Sequence, residues 1–225
     1  MIVYWSSDLD FGINCLSDLQ KKRTSNNQVN FLTCPAVKNS WKNVWMFGAK
    51  KDLFVEYNLD NVVVEGFKDA PNRKPHLKNT NIFNLRKSSI FFSEKSLKAK
   101  VTAPYFHNVA YQKEGTFIGG VYDIGRWARP INAEIITWGE VGAIKFNGGE
   151  PLFYVEFLTD EKIELVRFKH SPLISQLSAS LINSPFQTPK NFQGSLDSRY
   201  EAFDRSNYRA AILEEIQANL LPAEG

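Results

Sequence analysis

The sequence predicts a mainly β protein of the α+β class. Antiparallel sheets are expected to form a sandwich or barrel-like domain, with one or two helices at the C-terminal end. Three observations point there. Short runs of β-branched and aromatic residues recur as far as Phe168, each bounded by turn residues. Strict alternation appears at Leu97, Ala99, Val101 and Ala103, with Lys98, Lys100 and Thr102 between them. Helical periodicity begins only after Ser171.

Taken in order, Ile2 to Trp5 is a short β-prone run that stops at Ser6, Ser7 and Asp8. Residues 20 to 30 are polar and turn-rich, and are expected as an exposed loop. Asn43 to Gly48, Leu53 to Asn58 and Val62 to Phe67 follow with short spacers, the pattern of an antiparallel meander. In the second run Leu53, Val55 and Tyr57 share one face. Residues 68 to 81 hold Pro71, Pro75 and His76 and read as a long loop and a sub-boundary.

Beyond it, Ile90 to Phe92, Phe117 to Val121 and Glu134 to Trp138 are further candidate strands. Asn147-Gly148-Gly149 suits a tight hairpin turn, because Asn and Gly tolerate positive φ. It is expected to join Ala143–Phe146 to Leu152–Leu158, with Tyr154 and Glu156 on the opposite face from Phe153, Val155 and Phe157. Thr159-Asp160-Glu161 then turns the chain into Lys162–Phe168.

Ser171 before Pro172 fits an N-cap with proline at the first helical position, and Leu173, Leu177 and Leu181 recur at helical spacing. Residues 183 to 195 are loop-like. A last helix is expected from about Ser206, with Tyr208, Ala211, Ile212, Ile216 and Leu220 on one face. The expected division is a single mostly-β domain over 1–185, then a loop and C-terminal helix over 186–225.

Composition narrows the function. Of 225 residues 43% are hydrophobic and 23% charged, an ordinary globular mix that excludes a disordered chain, a collagen or a coiled coil. The net charge of +3 is too small to argue for a nucleic-acid or membrane partner. Two cysteines and three scattered histidines (His76, His107, His170) form no metal-ligand cluster, so neither metal nor cofactor is expected. Cys15 and Cys34 read as reduced thiols of a cytoplasmic protein. No stretch is long and apolar enough to span a membrane, and the N-terminus lacks the pattern of a signal peptide.

Three segments carry candidate chemistry. GGVYDIGRWARP, residues 119 to 130, packs Asp123, Arg126, Trp127 and Arg129 among glycines and a proline. Arginine beside an aromatic ring can hold a phosphate and stack on a base, with Asp123 accepting from a hydroxyl. An Asp–Arg pair also fastens loops, and that structural role is preferred here. In residues 142 to 168, Glu150 and Glu156 share a side unless Pro151 breaks the register. Paired carboxylates can do acid–base work, though solvent-facing strand carboxylates are commoner. Cys34, before a proline with two tryptophans nearby, could be a reactive thiol, but no histidine lies near it in sequence to activate it, and a buried inert cysteine is the expectation.

TCPAVKNSWKNVWMF, YDIGRWARPIN and GGEPLFYVEFLTDEKIELVRF, taken together, resemble in order and spacing a group of proteins encoded by tailed bacteriophages, including phages of marine bacteria. The likeness spans about residues 1 to 185. It implies phage origin and expression in the host-cell cytoplasm, and it brings no catalytic residues. A weaker likeness, through TFIGGVYDIGRWARPINAEIITW and FNGGEPLFYVEF, is to the trimeric dUTPase and dCTP-deaminase pattern. On that resemblance Asp123 stands at the sugar-binding or catalytic aspartate, and Gly149-Glu150 at the later turn. The serine-rich phosphate motif is missing upstream, and Glu150-Pro151-Leu152-Phe153 lacks the following glutamine.

The first functional reading is therefore a non-enzymatic phage accessory protein that binds a protein partner, of host origin or not. The alternatives are a nucleotide-binding or nucleotide-hydrolysing β protein, a homo-oligomer on the trimeric pattern, and a virion structural component. The candidate binding residues are Asp123, Arg126, Trp127, Arg129, Glu150 and Tyr154.

Overall fold

The computed structural model describes residues 1–7, 11–18, 34–58, 62–64, 67–70, 72–73, 80–182 and 196–222. The strands are β1 (Ile2–Ser7), β2 (Phe11–Cys15), β3 (Val44–Ala49), β4 (Leu53–Tyr57), β5 (Val62–Val64), β6 (Phe67–Ala70), β7 (Asn72–Arg73), β8 (Ile82–Phe92), β9 (Lys98–Thr102), β10 (Gly115–Phe117), β11 (Gly120–Asp123), β12 (Ile131–Thr137), β13 (Gly142–Phe146), β14 (Pro151–Phe157) and β15 (Glu164–Arg167). The helices are α1 (Pro35–Ser40), α2 (Pro172–Ile182), α3 (Leu196–Asp204) and α4 (Tyr208–Ala218), with a 3-10 turn at Ala110–Lys113.

Among the described residues the strands form three sheets. The first runs β10-β12-β8-β1-β15 with β7 also on β8, the second β11-β9-β14-β3-β2, and the third β13-β4-β5-β6. Pairing is antiparallel except between β1 and β15. The protein is thus a β-rich α+β sandwich with C-terminal helices, as the alternation and the late helical periodicity lead one to expect.

Aromatic side chains fill the space between the first two sheets. Phe47 of β3 stacks on Phe153 of β14 at 5.3 Å. It meets Phe91 of β8 edge-on at 5.3 Å and Trp5 of β1 at 6.0 Å. The third sheet adds Val55, Tyr57, Ile144 and Phe146 to the same core. β1 is buried on both faces from Val3 to Trp5, which is why Ile2 to Trp5 reads as an unbroken apolar run, and Ile90, Phe91 and Phe92 at the end of β8 are buried likewise. Val3, Trp5 and Phe91 face the sandwich, while Tyr4, Ile90 and Phe92 face the helices. There they meet Ile174, Phe203, Ile212 and Ile216. The Ser171 hydroxyl accepts from the Ile174 amide at 3.2 Å, the expected cap of α2.

A bent ribbon joins the second sheet to the third. β3 opposes β14 from Val44↔Glu156 to Gly48↔Pro151, and β4 opposes β13 from Leu53↔Phe146 to Tyr57↔Gly142. Both strands of one ladder leave one sheet and enter the other together. At the corner Gly148 N donates to Asp52 Oδ1 at 2.8 Å and Gly149 N to Ala49 O at 2.8 Å. Gly48 is required beside it, since a Cβ there would lie 2.4 Å from Glu150 O.

Several expectations are corrected. Asn147-Gly148-Gly149 turns as expected, with Gly149 at φ 83°, but it closes no hairpin, because β13 and β14 belong to different sheets. The meander begins at β4, since β3 pairs with β14 and β2 instead. Phe117 to Val121 is split between β10 and β11, in different sheets. Lys162–Phe168 contains β15, which lies parallel to β1. Of residues 68 to 81, the described ones fall largely in β6, β7 and the start of the segment entering β8 rather than in an open loop. The stripe of α2 facing the sheet is Ile174, Leu177 and Ser178, and Leu173 is 43% exposed. α3 is a helix the sequence pattern did not mark. Residues 20 to 30, His76 and residues 183 to 195 lie outside the described residues.

Candidate functional site

β11 ends at Asp123, and the chain then turns tightly, with Arg126 N donating to Asp123 O at 2.9 Å. Asp123 is 7% exposed. Its Oδ1 accepts from Gly125 N at 3.1 Å and Leu97 N at 3.2 Å, and its Oδ2 from Ser96 Oγ at 2.6 Å. An aspartate that binds the amide two residues on is a frequent way to fix such a turn. Asp123 N donates to Tyr200 Oη of α3 at 2.7 Å.

The residues after Asp123 fasten the helical layer. Arg126 forms an ion pair with Asp204, lies 5.1 Å from the Tyr200 ring centroid and keeps one guanidinium nitrogen 4.0 Å from Asp123. The hydrogen bond to Asp204 raises its already high pKa. Trp127 packs on Tyr122 at 5.2 Å and meets Tyr200 edge-on at 6.4 Å, with the Arg129 guanidinium 4.6 Å over its own ring. Ser178 Oγ of α2 donates to Ala128 O. Four of the six sequence-predicted residues therefore come together, around Tyr200.

The other two lie elsewhere. Glu150 Oε2 accepts from Ala110 N at 3.1 Å and its Oε1 from Asn147 Nδ2 at 3.1 Å. It borders a shallow depression shared with Tyr111, Phe146 and Leu152. Tyr154 is wholly buried on the outer face of the second sheet, its hydroxyl bonded to His107 Nδ1 and its ring 5.0 Å from Tyr105. Burial pushes its phenol pKa up. Glu156 pairs with Lys100 at 3.5 Å, so the two glutamates serve different partners. Pro151 does mark a break in the register, which shifts between Pro151 and Phe153.

Cys34 is exposed, contrary to the buried thiol expected, and Cys15 is half-buried; both are free. Cys34 stands just before Pro35 at the start of α1, and the core beside that helix takes Val37 and, just beyond its end, Trp41 instead. Among the described residues no group of three or more His, Cys, Asp or Glu is placed to hold a metal ion, and no helix is long and apolar enough to cross a membrane.

One surface feature was not read from the sequence. Between β12 and β13, Trp138 is 55% exposed and Val141 70% exposed. The loop is nonetheless fixed: Trp138 N donates to Glu114 O at 2.8 Å, Trp138 Nε1 to Gln112 O at 3.2 Å, and Thr137 Oγ1 to Gly139 O. Gln112 Nε2 in turn donates to Pro104 O at 2.7 Å, next to Tyr105, which is also exposed. The signal was the Trp-Gly-Glu-Val order, an indole followed at once by turn residues where a strand ends.

Comparison with protein-family models, with curated proteins and with solved structures finds no match.

Proposed function

We propose that this is a non-enzymatic accessory protein, encoded by a bacteriophage and acting in the host cytoplasm, that works by binding a protein partner through the loop bearing Trp138. The observation that carries this reading is a large exposed indole whose ring N–H donates to Gln112 O, on a loop tied down by the Trp138 N–Glu114 O and Thr137 Oγ1–Gly139 O hydrogen bonds. Tryptophan is enriched among the residues that dominate binding energy. An anchor already ordered in the free protein loses little conformational freedom on binding. Val141, three residues on in the same loop, is also exposed. Asp123 and Arg126, which acid–base or phosphate chemistry would need, are occupied in fixing the turn and the helical layer.

The test is affinity capture from infected host cells, comparing the wild type with Trp138→Ala and with Arg126→Ala. A specific partner retained by the wild type and Arg126→Ala but lost by Trp138→Ala, at unchanged melting temperature, supports the reading. Equal capture by all three refutes it.

A second reading, nucleotide binding at the Asp123–Arg129 turn, draws on the Arg129 guanidinium stacked over Trp127, an arrangement that suits a base or a phosphate. A melting screen against nucleotides including dUTP and dCTP, with and without magnesium, tests it. A stabilising shift that is lost in Arg129→Ala would favour this reading over the first.

A further inference from the structure

Asn147-Gly148 is the one Asn-Gly step in the sequence, and the corner of the ribbon surrounds it with chemistry beyond what a turn needs. The turn is closed by Glu150 N donating to Asn147 O at 3.2 Å, with Gly149 at φ 83°. Gly148 and Gly149 are exposed, and no atom lies within 4 Å of where a Gly149 Cβ would stand. Two carboxylates grip the two groups that would react. Asp52 Oδ1 accepts from Gly148 N at 2.8 Å, and Glu150 Oε1 accepts from Asn147 Nδ2 at 3.1 Å. Asp52 is itself anchored by Lys145 at 3.0 Å.

We propose that Asn147-Gly148 is a self-modification site at which the main-chain nitrogen of Gly148 attacks the side-chain carbonyl carbon of Asn147, with Asp52 as the proton acceptor. The Gly148 N–H proton passes to Asp52 as the bond from Gly148 N to Asn147 Cγ forms. The bond from Cγ to Nδ2 then breaks, and the amide leaves as ammonia with the proton that Asp52 carried. Glu150 holds that leaving group through its hydrogen bond from Asn147 Nδ2. The five-membered imide is opened by solvent water at either carbonyl, giving aspartate or isoaspartate. Either product adds a carboxylate beside Asp52 and Glu150. The isoaspartate also lengthens the main chain by one methylene at the corner that the second and third sheets share.

The geometry meets the first demand on a general base, hydrogen-bond contact with the proton it takes. Gly148 contributes no side chain to hinder the attack. The Asn39-Ser40 step, exposed at the end of α1, has a serine in place of the glycine and serves as an internal reference.

The test is incubation of the purified full-length protein at neutral pH. Conversion is read at each asparagine by peptide mass mapping, and isoaspartate by enzymatic methylation. Conversion is expected at Asn147 ahead of Asn39, at a rate no slower than in a free peptide spanning the same corner. Asp52→Asn should slow it by about tenfold; this is below the hundredfold or more of a well-matched base, because Asp52 is a weak one. Faster conversion in Asp52→Asn would mean that the contact protects the site, and would overturn the proposal. So would native protein that converts tenfold or more slowly than the peptide, on the order of the loss assigned to the base; that comparison holds even where the variant fails to fold.

Discussion

Replacing Asp123 by alanine separates a carboxylate that builds the turn from one that waits for a ligand. The substitution leaves two buried amides, Leu97 N and Gly125 N, without their acceptor, and removes the partner of Ser96 Oγ. The hydroxyl can rotate to another acceptor; the amides cannot. Each orphaned buried donor costs about 1–3 kcal/mol, so the loss comes to about 4 kcal/mol. For a chain of this size that lowers the melting temperature by about 8–16 °C. Asp123→Asn keeps an oxygen for both amides but turns an NH2 group toward Ser96 and Arg126, and should lose about 1–2 kcal/mol. Melting followed by circular dichroism gives both values, and fluorescence of Trp127 reports whether the turn itself loosens. An Asp123→Ala protein within about 1 kcal/mol of the wild type would refute the reasoning, because buried donors cannot be stranded at so little cost.

The other expectations are direct. Ile216→Ala, at a fully buried position under the helical layer, should cost about 2–5 kcal/mol in chemical denaturation. Gly125→Ala would set a Cβ 2.2 Å from Lys95 O, so it should unfold well below the wild type in a melting experiment. Burial raises the phenol pKa values of Tyr111 and Tyr154, so the folded state favours their neutral forms. That stability is complete below the ordinary tyrosine value of about 10 and is lost as pH rises past it. Alkaline melting series should show the loss, and Tyr111→Phe should blunt it. Under native conditions a thiol reagent should label exposed Cys34 before half-buried Cys15.

What could be read from the sequence was local. The alternation at Leu97, Ala99 and Val101 marks β9, and Ser171-Pro172 marks the start of α2, because both depend on neighbours within a few residues. The turn at Asn147 was legible for the same reason. Its role was not, because the partners of β13 and β14 are chosen by segments far away, at β4 and β3. Asp123, Arg126 and Trp127 stood out as a dense cluster, yet what they contact, Tyr200 and Asp204, comes from a helix whose weak apolar pattern gave no warning. Trp138 gives no local sign of its exposure, since an aromatic residue at a strand end is ordinarily core.

The bent ribbon bears on how the molecule comes together in time. Its two strands are about 100 residues apart in the chain, from Tyr57↔Gly142 to Val44↔Glu156, so their meeting is an expensive loop closure that long-range contacts repay only afterwards. Since one bent ribbon runs through the middle of the second sheet and along the edge of the third, that single closure templates both. Neither sheet has a route to completion that avoids it. Slow, single-phase refolding is the expected signature, and substitutions at the corner glycines should act on the folding rate as much as on the final stability.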